Sequence, residues 1–299
     1  MYLDLHLHGA FGVDVLTAGD AELDVLSRRL EARGVSAYLP TLVPLSRAGY
    51  QEAIGRLSGY LKSRREGDGR GALPLGLHFE GPFVSRARCG ALHLEHLLDG
   101  GDARAVDEFF ELLRDLPGRS MVTLAPEIDR GLAITRRFAD LGFLVSIGHT
   151  EASAATLDAA RAQGARHMTH FGNAMRPLHH REVGPIGWGL LRDDVSVDVI
   201  ADLIHLSPEM LSLVVKSKPP GKLVLISDAV PPAGLADGPY DVWGERLFLK
   251  DGAVRNGAGA LAGSASLLDE AVTRITSLGV PRELAQQFAA EAPRKALFS

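Results

Sequence analysis

Cysteine is almost absent from the sequence: Cys89 is the single one among 299 residues. An internal disulfide framework is therefore excluded, and a lone thiol fits a reducing compartment such as the cytoplasm. The N-terminal segment MYLDLHLHGAFGVD lacks a basic region followed by an apolar core, so we expect no signal peptide. No run of about 18 apolar residues occurs, and we expect no membrane span.

The sequence also lacks an excess of basic residues and the glycine motifs of nucleotide-binding proteins. Lys and Arg number 32 against 37 Asp and Glu, a net charge of -5, so we expect no nucleic-acid partner. No GxGxxG follows the first apolar run, and no GxxxxGK[ST] loop is present. The hydrophobic fraction of 46% and the chain length instead indicate one large globular domain.

Short apolar, β-branched runs alternate with helical patterns along most of the chain. The predicted strands are 3–8, 35–43, 73–80, 121–125, 143–149, 167–170, 196–200 and 223–227. The predicted helices are 21–33, 47–65, 102–116, 130–141 and 151–163, followed near the C-terminus by 265–277 and about 281–289. Residues 239–254 depart from this alternation and predict a β-hairpin that turns at Lys250-Asp251-Gly252.

Such an alternation fits either a closed barrel or a doubly wound open sheet. Residues able to bind metal or move protons follow the strands at their C-terminal ends. They are His6, His8, Glu80, His149, His170, Asp228 and, just past its strand, His205. A barrel gathers all its strand C-termini around one axis, whereas an open sheet spreads them out. We therefore predict an α/β fold, a (β/α)8 TIM barrel.

His6 and His8 are separated by one residue on the first predicted strand. Side chains at i and i+2 share a face of a strand, so both imidazoles can grip one cation. A chance pair at the surface is the alternative in a chain with 11 histidines.

Glu80, His149 and His170 follow three later strands. Glu80 lies between Phe79 and Gly81-Pro82, where an unpaired buried carboxylate would be costly. One Glu and two His make an ordinary ligand set for catalytic zinc, and Glu80 could bridge to a second ion on His6 and His8. The alternatives are a structural salt bridge for Glu80 and satisfied structural histidines for the other two.

Asp228 ends the strand of KLVLISD. Beside metal-bound water, this carboxylate could take the proton of the water and pass it to a leaving amine. A turn or helix-capping aspartate is the alternative. Arg181, on a loop at the same end of the barrel, could bind a phosphate or be an ordinary surface residue.

Taken together, the motifs resemble the N-acetylglucosamine-6-phosphate deacetylase family of the amidohydrolase superfamily. The matching stretches, in the family's order, are DLHLHGAFGVD (4–14), HFEGPFVS (78–85), TLAPE (123–127), GHTEA (148–152), THFGNAM (169–175), HREVG (180–184), LISDAVPPAG (225–234) and GALAGSASLLDEAV (259–272). They cover nearly the whole chain, and the set is specific although no single stretch is.

This resemblance implies roles for particular residues. It implies metal ligation by Glu80, His149 and His170, with His6 and His8 allowing a second ion, and Asp228 as general base and acid. Zinc is the first expectation for one or two divalent ions per subunit, with Fe, Mn or Co as alternatives. The substrate contacts implied are Asn173, the backbone at Ala174, Arg181 and His205. In this family the arginine is often supplied across a dimer interface, so a homodimer is expected.

The sequence departs from the family in three places. Members usually flank the barrel with a small β-sandwich, so we expect 1–299 to be a single barrel domain that keeps only the hairpin 239–256 of it. The family's Gly-Ala-His pattern reads Gly90-Ala91-Leu92-His93 here, which makes His93 the candidate that polarises the acetyl carbonyl. Leu203 stands where Asp-Gly-x-His is usual.

The function expected from these residues is deacetylation of N-acetylglucosamine 6-phosphate to glucosamine 6-phosphate and acetate. Two alternatives stay open at this point. One is a related amidohydrolase acting on N-acetylgalactosamine 6-phosphate, and the other is a catalytically silent, truncated homologue.

Overall fold

The computed structural model describes residues 1–66 and 70–299. Eight parallel strands form a sheet in which each strand pairs with the next along the chain. They are β1 (Tyr2–Leu7), β2 (Val35–Leu42), β3 (His78–Glu80), β4 (Met121–Leu124), β5 (Leu144–Ile147), β6 (Ala165–Met168), β7 (Ser196–Ile200) and β8 (Leu223–Ile226). The last strand returns to the first through a parallel bridge between Leu7 and Ala229, so the sheet closes into a barrel.

Helices surround this barrel and connect its strands. They are α1 (Asp20–Ala32), α2 (Arg47–Glu66), α3 (Ala103–Leu112), α4 (Gly131–Asp140), α5 (Ala154–Ala162), α6 (Gly184–Leu191), α7 (Pro208–Ser217), α8 (Leu268–Ser277) and α9 (Arg282–Phe298). The predicted (β/α)8 barrel is confirmed, and the open-sheet alternative is wrong. Over residues 1–66 and 70–299, no helix combines the length and the apolar character needed to cross a membrane.

Two element boundaries differ from the prediction in an informative way. The strand predicted over 73–80 is split into Leu73–Pro74 and β3. The final helix, predicted to end near 289, runs on through Pro293 to Phe298. Its last turns bury Ala292, Ala296 and Leu297, and this packing outweighs the loss of one helical hydrogen bond at the proline.

The last turns of α9 close the N-terminal end of the barrel. Residues from strands on opposite sides of the barrel share one buried cluster with them, which we call the lower interior. It consists of Leu3, Leu5, Ala37, Leu39, Met121, Leu144, Ile200, Val224, Ile226, Ala292, Ala296 and Leu297. This leaves the opposite end, where the strand C-termini lie, open for a chemical site.

A small antiparallel sheet follows β8. Its strands are β9 (Gly238–Val242), β10 (Glu245–Lys250), β11 (Ala253–Arg255) and β12 (Leu261–Ser264), paired in chain order. The predicted turn at Asp251-Gly252 is present, with φ angles of 52° and 79° as a tight hairpin requires. A second such turn, at Trp243-Gly244, was not predicted, so the predicted hairpin is part of a four-stranded sheet.

Candidate metal centre and catalytic pocket

A β-bulge in β1 aims two histidines at the barrel axis. The register between β1 and β2 shifts between Asp4 and Leu7. Within the shifted stretch Leu5 belongs to the lower interior, whereas Leu7, at its end, packs in the separate main hydrophobic core. Asp4 Oδ1 accepts the backbone N–H groups of His6 at 3.3 Å and of Ser227 on the neighbouring strand end at 3.1 Å. The bulge thus turns His6 and His8 inward together, and their Nε2 atoms lie 3.0 Å apart.

Three further chemical residues occupy left-handed backbone positions. His149, His170 and Asp228 have φ angles of 48°, 30° and 49°, and each lies two residues beyond the end of its strand. Such angles are uncommon for residues other than glycine and cost about 1–3 kcal/mol each. The same strain at three strand ends is a local signature of a functional site, because it directs all three side chains across the top of the barrel.

Glu80 is the centre of this arrangement. Its Oε1 lies 3.0 Å from Nε2 of His149 and 3.0 Å from Nε2 of His170. Its Oε2 lies 3.2 Å from Nε2 of His8. Asp228 Oδ1 completes the cluster at 3.4 Å from Nε2 of His8. The structure therefore brings together the side chains expected to converge at 80, 149, 170 and 228, and with them the predicted pair His6 and His8.

The protonation of two histidines follows from their backbone partners. Nδ1 of His149 lies 2.7 Å from the carbonyl oxygen of Arg88, and Nδ1 of His8 lies 3.3 Å from that of Thr41. A carbonyl can only accept, so both Nδ1 atoms donate, and both Nε2 atoms face the oxygens of Glu80. An Nε2 atom that carries a proton donates it to Glu80, whereas a cation at this place binds the lone pair of the deprotonated nitrogen.

The two buried carboxylates, Glu80 and Asp228, make the pocket favourable for positive charge. Burial opposes ionisation of Glu80, but the surrounding histidines, with His6 foremost, hold its pKa well below the usual value. Burial is likewise outweighed at Asp228, whose pKa is lowered. Against the same burial, hydrogen bonds to these carboxylates raise the pKa of His8 to about 10 and that of His170 to about 9. Both carboxylates are thus ionised and draw cations into the pocket.

Two sets of donors could hold a metal ion. One is His6, His8 and Glu80, and the other is Glu80, His149 and His170, all buried. Imidazole nitrogens and carboxylate oxygens suit Zn, Fe, Mn and Co, and in both sets the donor atoms lie within 4.8 Å of one another. The residues present therefore fit a divalent metal, with Glu80 common to both sets.

A belt of polar side chains supports the cluster from below. His78 Nε2 lies 2.8 Å from Thr123 Oγ1, which lies 2.7 Å from Thr169 Oγ1, and Thr169 lies 2.6 Å from Ser146 Oγ. Burial keeps the pKa of His78 well below its usual value, so its ring is neutral. The ring stands edge-on to that of His6, with centroids 4.5 Å apart. The belt thereby fixes one ring of the cluster by packing.

The cluster opens into a cavity of about 170 Å³. Of the predicted substrate contacts, Asn173, Ala174 and His205 line this cavity. Asp202 orients His205: its Oδ2 lies 2.7 Å from His205 Nδ1, and its Oδ1 accepts the His205 backbone N–H at 2.9 Å. Leu203, at the position where the family pattern has glycine, adopts a φ of 66°. The loop therefore keeps a left-handed conformation that glycine would adopt without strain.

Two predicted site residues lie elsewhere. The His93 side chain lines a neighbouring cavity with Glu52 and His96, so the carbonyl-polarising role predicted for it would require the loop that carries it to move. Residues 90–92 of this loop line the metal cavity instead. Arg181 is exposed, with Nη1 2.9 Å from His180 Nε2, and is not among the described residues that line the cavity.

Several parts of the site were not predicted from the sequence. Trp243 lines the cavity from the small sheet, and residues 261–263 line it from β12. The carbonyls of Thr41 and Arg88 orient two of the histidines through the backbone. The Gly/Ala-rich residues before Ser264 are typical of close backbone packing, but this pattern does not say what they pack against. A backbone carbonyl that orients a side chain leaves no residue-type signal in the sequence.

The fold and the cluster define a class of protein: a (β/α)8 hydrolase of the amidohydrolase type, with its chemical residues at the strand C-termini. No protein-family model matches the chain. It is 36% identical over 269 residues to N-acetylglucosamine-6-phosphate deacetylase of Bacillus subtilis, covering 90% of this chain and 67% of that protein.

Solved structures agree with this relationship. The N-acetylglucosamine-6-phosphate deacetylase of Thermotoga maritima superposes with a TM-score of 0.88 at 31% identity, over 99% of this chain and 77% of that one. An aspartate-to-alanine variant of the Mycobacterium smegmatis enzyme, in complex with N-acetyl-D-glucosamine-6-phosphate, gives 0.86 at 30% identity over 99% and 76%. The chain belongs to the N-acetylglucosamine-6-phosphate deacetylase family. Besides the barrel, the described residues form the four-stranded sheet of β9 to β12 and a two-stranded pairing of Gly9–Ala10 with Val13–Asp14.

Proposed function

We propose that this protein hydrolyses the acetamide of N-acetylglucosamine 6-phosphate, releasing acetate and glucosamine 6-phosphate. The convergence of Glu80, His149, His170 and Asp228 at the end of the barrel carries this proposal. The enzymes that resemble the chain bear the name of this reaction, and the related mycobacterial structure holds this sugar phosphate.

Glu80, His149 and His170 would hold the first divalent cation, and His6 and His8 would share Glu80 with a second. Zinc is our first proposal for its identity, with Fe, Mn or Co as alternatives. When bound, such a cation lowers the pKa of water and polarises a carbonyl.

Asp228 is proposed as the group that moves the proton. Its carboxylate accepts a proton from the attacking water as the new C–O bond forms at the acetyl carbon. It then delivers this proton to the amide nitrogen as the C–N bond breaks, so that acetate and a free amine leave. His93 could polarise the acetyl carbonyl only if its loop brings the ring into the metal cavity.

The sugar phosphate is proposed to bind on the side of Asn173, Ala174 and His205. The Asn173 amide and the His205 imidazole offer polar groups for sugar hydroxyls and phosphate oxygens. Arg181 is exposed in the single chain, which is compatible with our proposal that it reaches the phosphate of a second subunit in a homodimer. A cytoplasmic location is proposed from the single cysteine.

One alternative concerns the sugar. The N-acetylgalactosamine-6-phosphate deacetylase of Escherichia coli O157:H7 is 33% identical over 277 residues, covering 93% of this chain and 71% of that protein. Acetate release from both sugar phosphates, measured side by side, separates the two epimers. The complete set of converging ligands speaks against a catalytically silent homologue, which has no use for it.

Asp228→Asn tests the mechanism directly. We expect kcat to fall by about 10²–10⁴-fold, because an amide cannot accept the proton of the water. Metal content, measured on the same preparation, should stay near the wild-type level. Asp241→Asn, at an exposed aspartate of the small sheet, is the matched control and should change neither quantity. A near-wild-type rate in Asp228→Asn would remove this residue from the mechanism.

A further inference from the structure

Trp243 reaches the metal cavity from outside the barrel. It stands with Gly244 at the tight turn between β9 and β10. Its ring packs edge-on against His8, with centroids 5.1 Å apart and planes at 70°. The indole N–H donates to Asp14 Oδ1 at 3.4 Å, which attaches the ring to the loop that follows β1. An aromatic side chain of the small sheet is thus held against a proposed metal ligand.

The same ring separates two cavities. Trp243 and Val43 line both the metal cavity of about 170 Å³ and a second cavity of about 490 Å³ beside it. The second cavity is lined further by Leu16, Leu45 and Ala53. Because these two side chains face both spaces, they form the partition between them, and the larger space is partly apolar.

The partition lies across the barrel from the residues proposed to contact the sugar. Val43 directly follows β2, and the Trp243 ring lies against His8, directly after β1. Asn173 and Ala174 follow β6, and His205 follows β7. In an eight-stranded barrel with this strand order, β2 and β6 face each other across the axis. A sugar on the side of β6 and β7 therefore places the acyl group of its amide towards Val43 and Trp243.

We propose that Trp243, together with Val43, closes the acyl end of the catalytic pocket and restricts the enzyme to short N-acyl groups. This inference rests on the proposed function and adds a determinant of substrate specificity to it. The indole supplies an apolar surface for the acetyl methyl and blocks a longer chain. Its removal joins the pocket to the larger cavity, which then has room for the additional methylene groups.

Trp243→Ala tests the proposal with two substrates, N-acetyl- and N-butyrylglucosamine 6-phosphate. The measured quantity is the ratio of kcat/KM for the butyryl substrate to that for the acetyl substrate. We expect this ratio to rise at least about tenfold over wild type, as expected when a methylene-sized clash is relieved in a hydrophobic pocket. Trp243→Phe keeps most of the wall without the N–H donor, and its ratio should stay near the wild-type value.

Two further variants complete the experiment. Phe248→Ala removes an aromatic ring from β10 that is 46% exposed and lines neither cavity, so its ratio should be unchanged. Val43→Ala thins the other half of the partition and should raise the ratio in the same direction, which keeps the test available if Trp243→Ala does not fold.

The outcomes separate the two proposals. An unchanged ratio in both Trp243→Ala and Val43→Ala, with active wild-type enzyme, overturns the inference and leaves the proposed function standing. Wild-type enzyme that releases no acetate from N-acetylglucosamine 6-phosphate overturns the proposed function and the inference with it. A rise in Phe248→Ala equal to that in Trp243→Ala also overturns the inference, because the effect would then belong to the sheet as a whole.

Discussion

On three strands of the barrel, the interior side chains change from apolar to polar within two residues. On β2 the change is from Leu39 to Thr41, on β4 from Met121 to Thr123, and on β5 from Leu144 to Ser146. All of these side chains are buried. The apolar members belong to the lower interior, which α9 closes. The polar members lie beneath the metal cluster, where Thr123 and Ser146 belong to the belt and Thr41 Oγ1 lies 3.3 Å from His78 Nδ1.

The two ends of the barrel therefore differ in role: the apolar end stabilises the fold, and the polar end carries the chemical residues. Burial of the lower interior stabilises the fold, since each large apolar side chain removed from water contributes about 1.5–3 kcal/mol. The upper end carries buried carboxylates and three strained backbone positions, which oppose folding. The apolar end thus offsets the cost of the chemical end. Substitutions at the apolar end should lower the unfolding free energy and leave turnover unchanged, whereas substitutions at the chemical end should lower metal affinity and turnover.

Glu80→Gln should have the largest effect, and this effect should be on metal affinity and acetate release. Loss of partners that only orient ligands costs about 10–100-fold in metal affinity, so loss of a carboxylate shared by two donor sets should cost more than about 100-fold. Acetate release should disappear with the metal, and the chelator-treated variant should still fold, although the buried histidines lose the carboxylate that pairs with them. Metal analysis and denaturant titration measure this, with the exposed Glu52→Gln as control. Wild-type metal content in Glu80→Gln would contradict the ligand role.

Leu39→Ala should have the converse signature at the apolar end. This side chain is fully buried in the lower interior, so the variant should lose about 2–5 kcal/mol of unfolding free energy. The kcat and metal content of the folded fraction should match wild type. Denaturant unfolding measures the loss, and Leu191→Ala, at a residue 66% exposed, should change stability by less than about 0.5 kcal/mol. A catalytic defect in folded Leu39→Ala would show that the two ends are not independent.

Leu203→Gly should have the smallest effect, although it removes a leucine that packs against the core. Glycine adopts the left-handed conformation without the strain of about 1–2 kcal/mol that leucine bears there. This gain in unfolding free energy offsets the lost packing and the greater conformational freedom of glycine in the unfolded chain. We expect the unfolding free energy to stay within about 1 kcal/mol of wild type. Leu206→Gly, three residues on at a buried position, should instead lose at least about 2 kcal/mol. Equal losses in the two variants would show that Leu203 is not strained.

The order of strands and helices, and the convergence of residues at their C-terminal ends, could be predicted because both follow from local patterns. Hydrophobic periodicity marks an element, and a polar residue directly after an apolar run marks a barrel end. Glu80 and Asp228 were found in this way, and so were His149 and His170. The structure brings all four together, while their individual roles stay proposals.

What could not be predicted depends on contacts between distant segments. The bulge in β1 is held by hydrogen bonds that Asp4 makes to its own strand and to Ser227, so strict alternation along the strand was an incomplete guide. The extension of α9 through Pro293 depends on the apolar end of a barrel that it closes. The position of Trp243 depends on a turn whose Trp-Gly sequence is not a strong hairpin signal.

The attachment of β12 to the barrel has a consequence for protein engineering. The backbone N–H of Ser264 donates to the carbonyl of Asp228 at 2.8 Å, and that of Val230 donates to Ser264 at 3.1 Å. Gly263 has a φ of 68°, and a Cβ there would lie 3.0 Å from the Asp228 carbonyl oxygen. A chimera that grafts a foreign small domain onto this barrel must therefore retain Gly263 and the backbone path of Ser264, or it releases the aspartate on which turnover is proposed to depend.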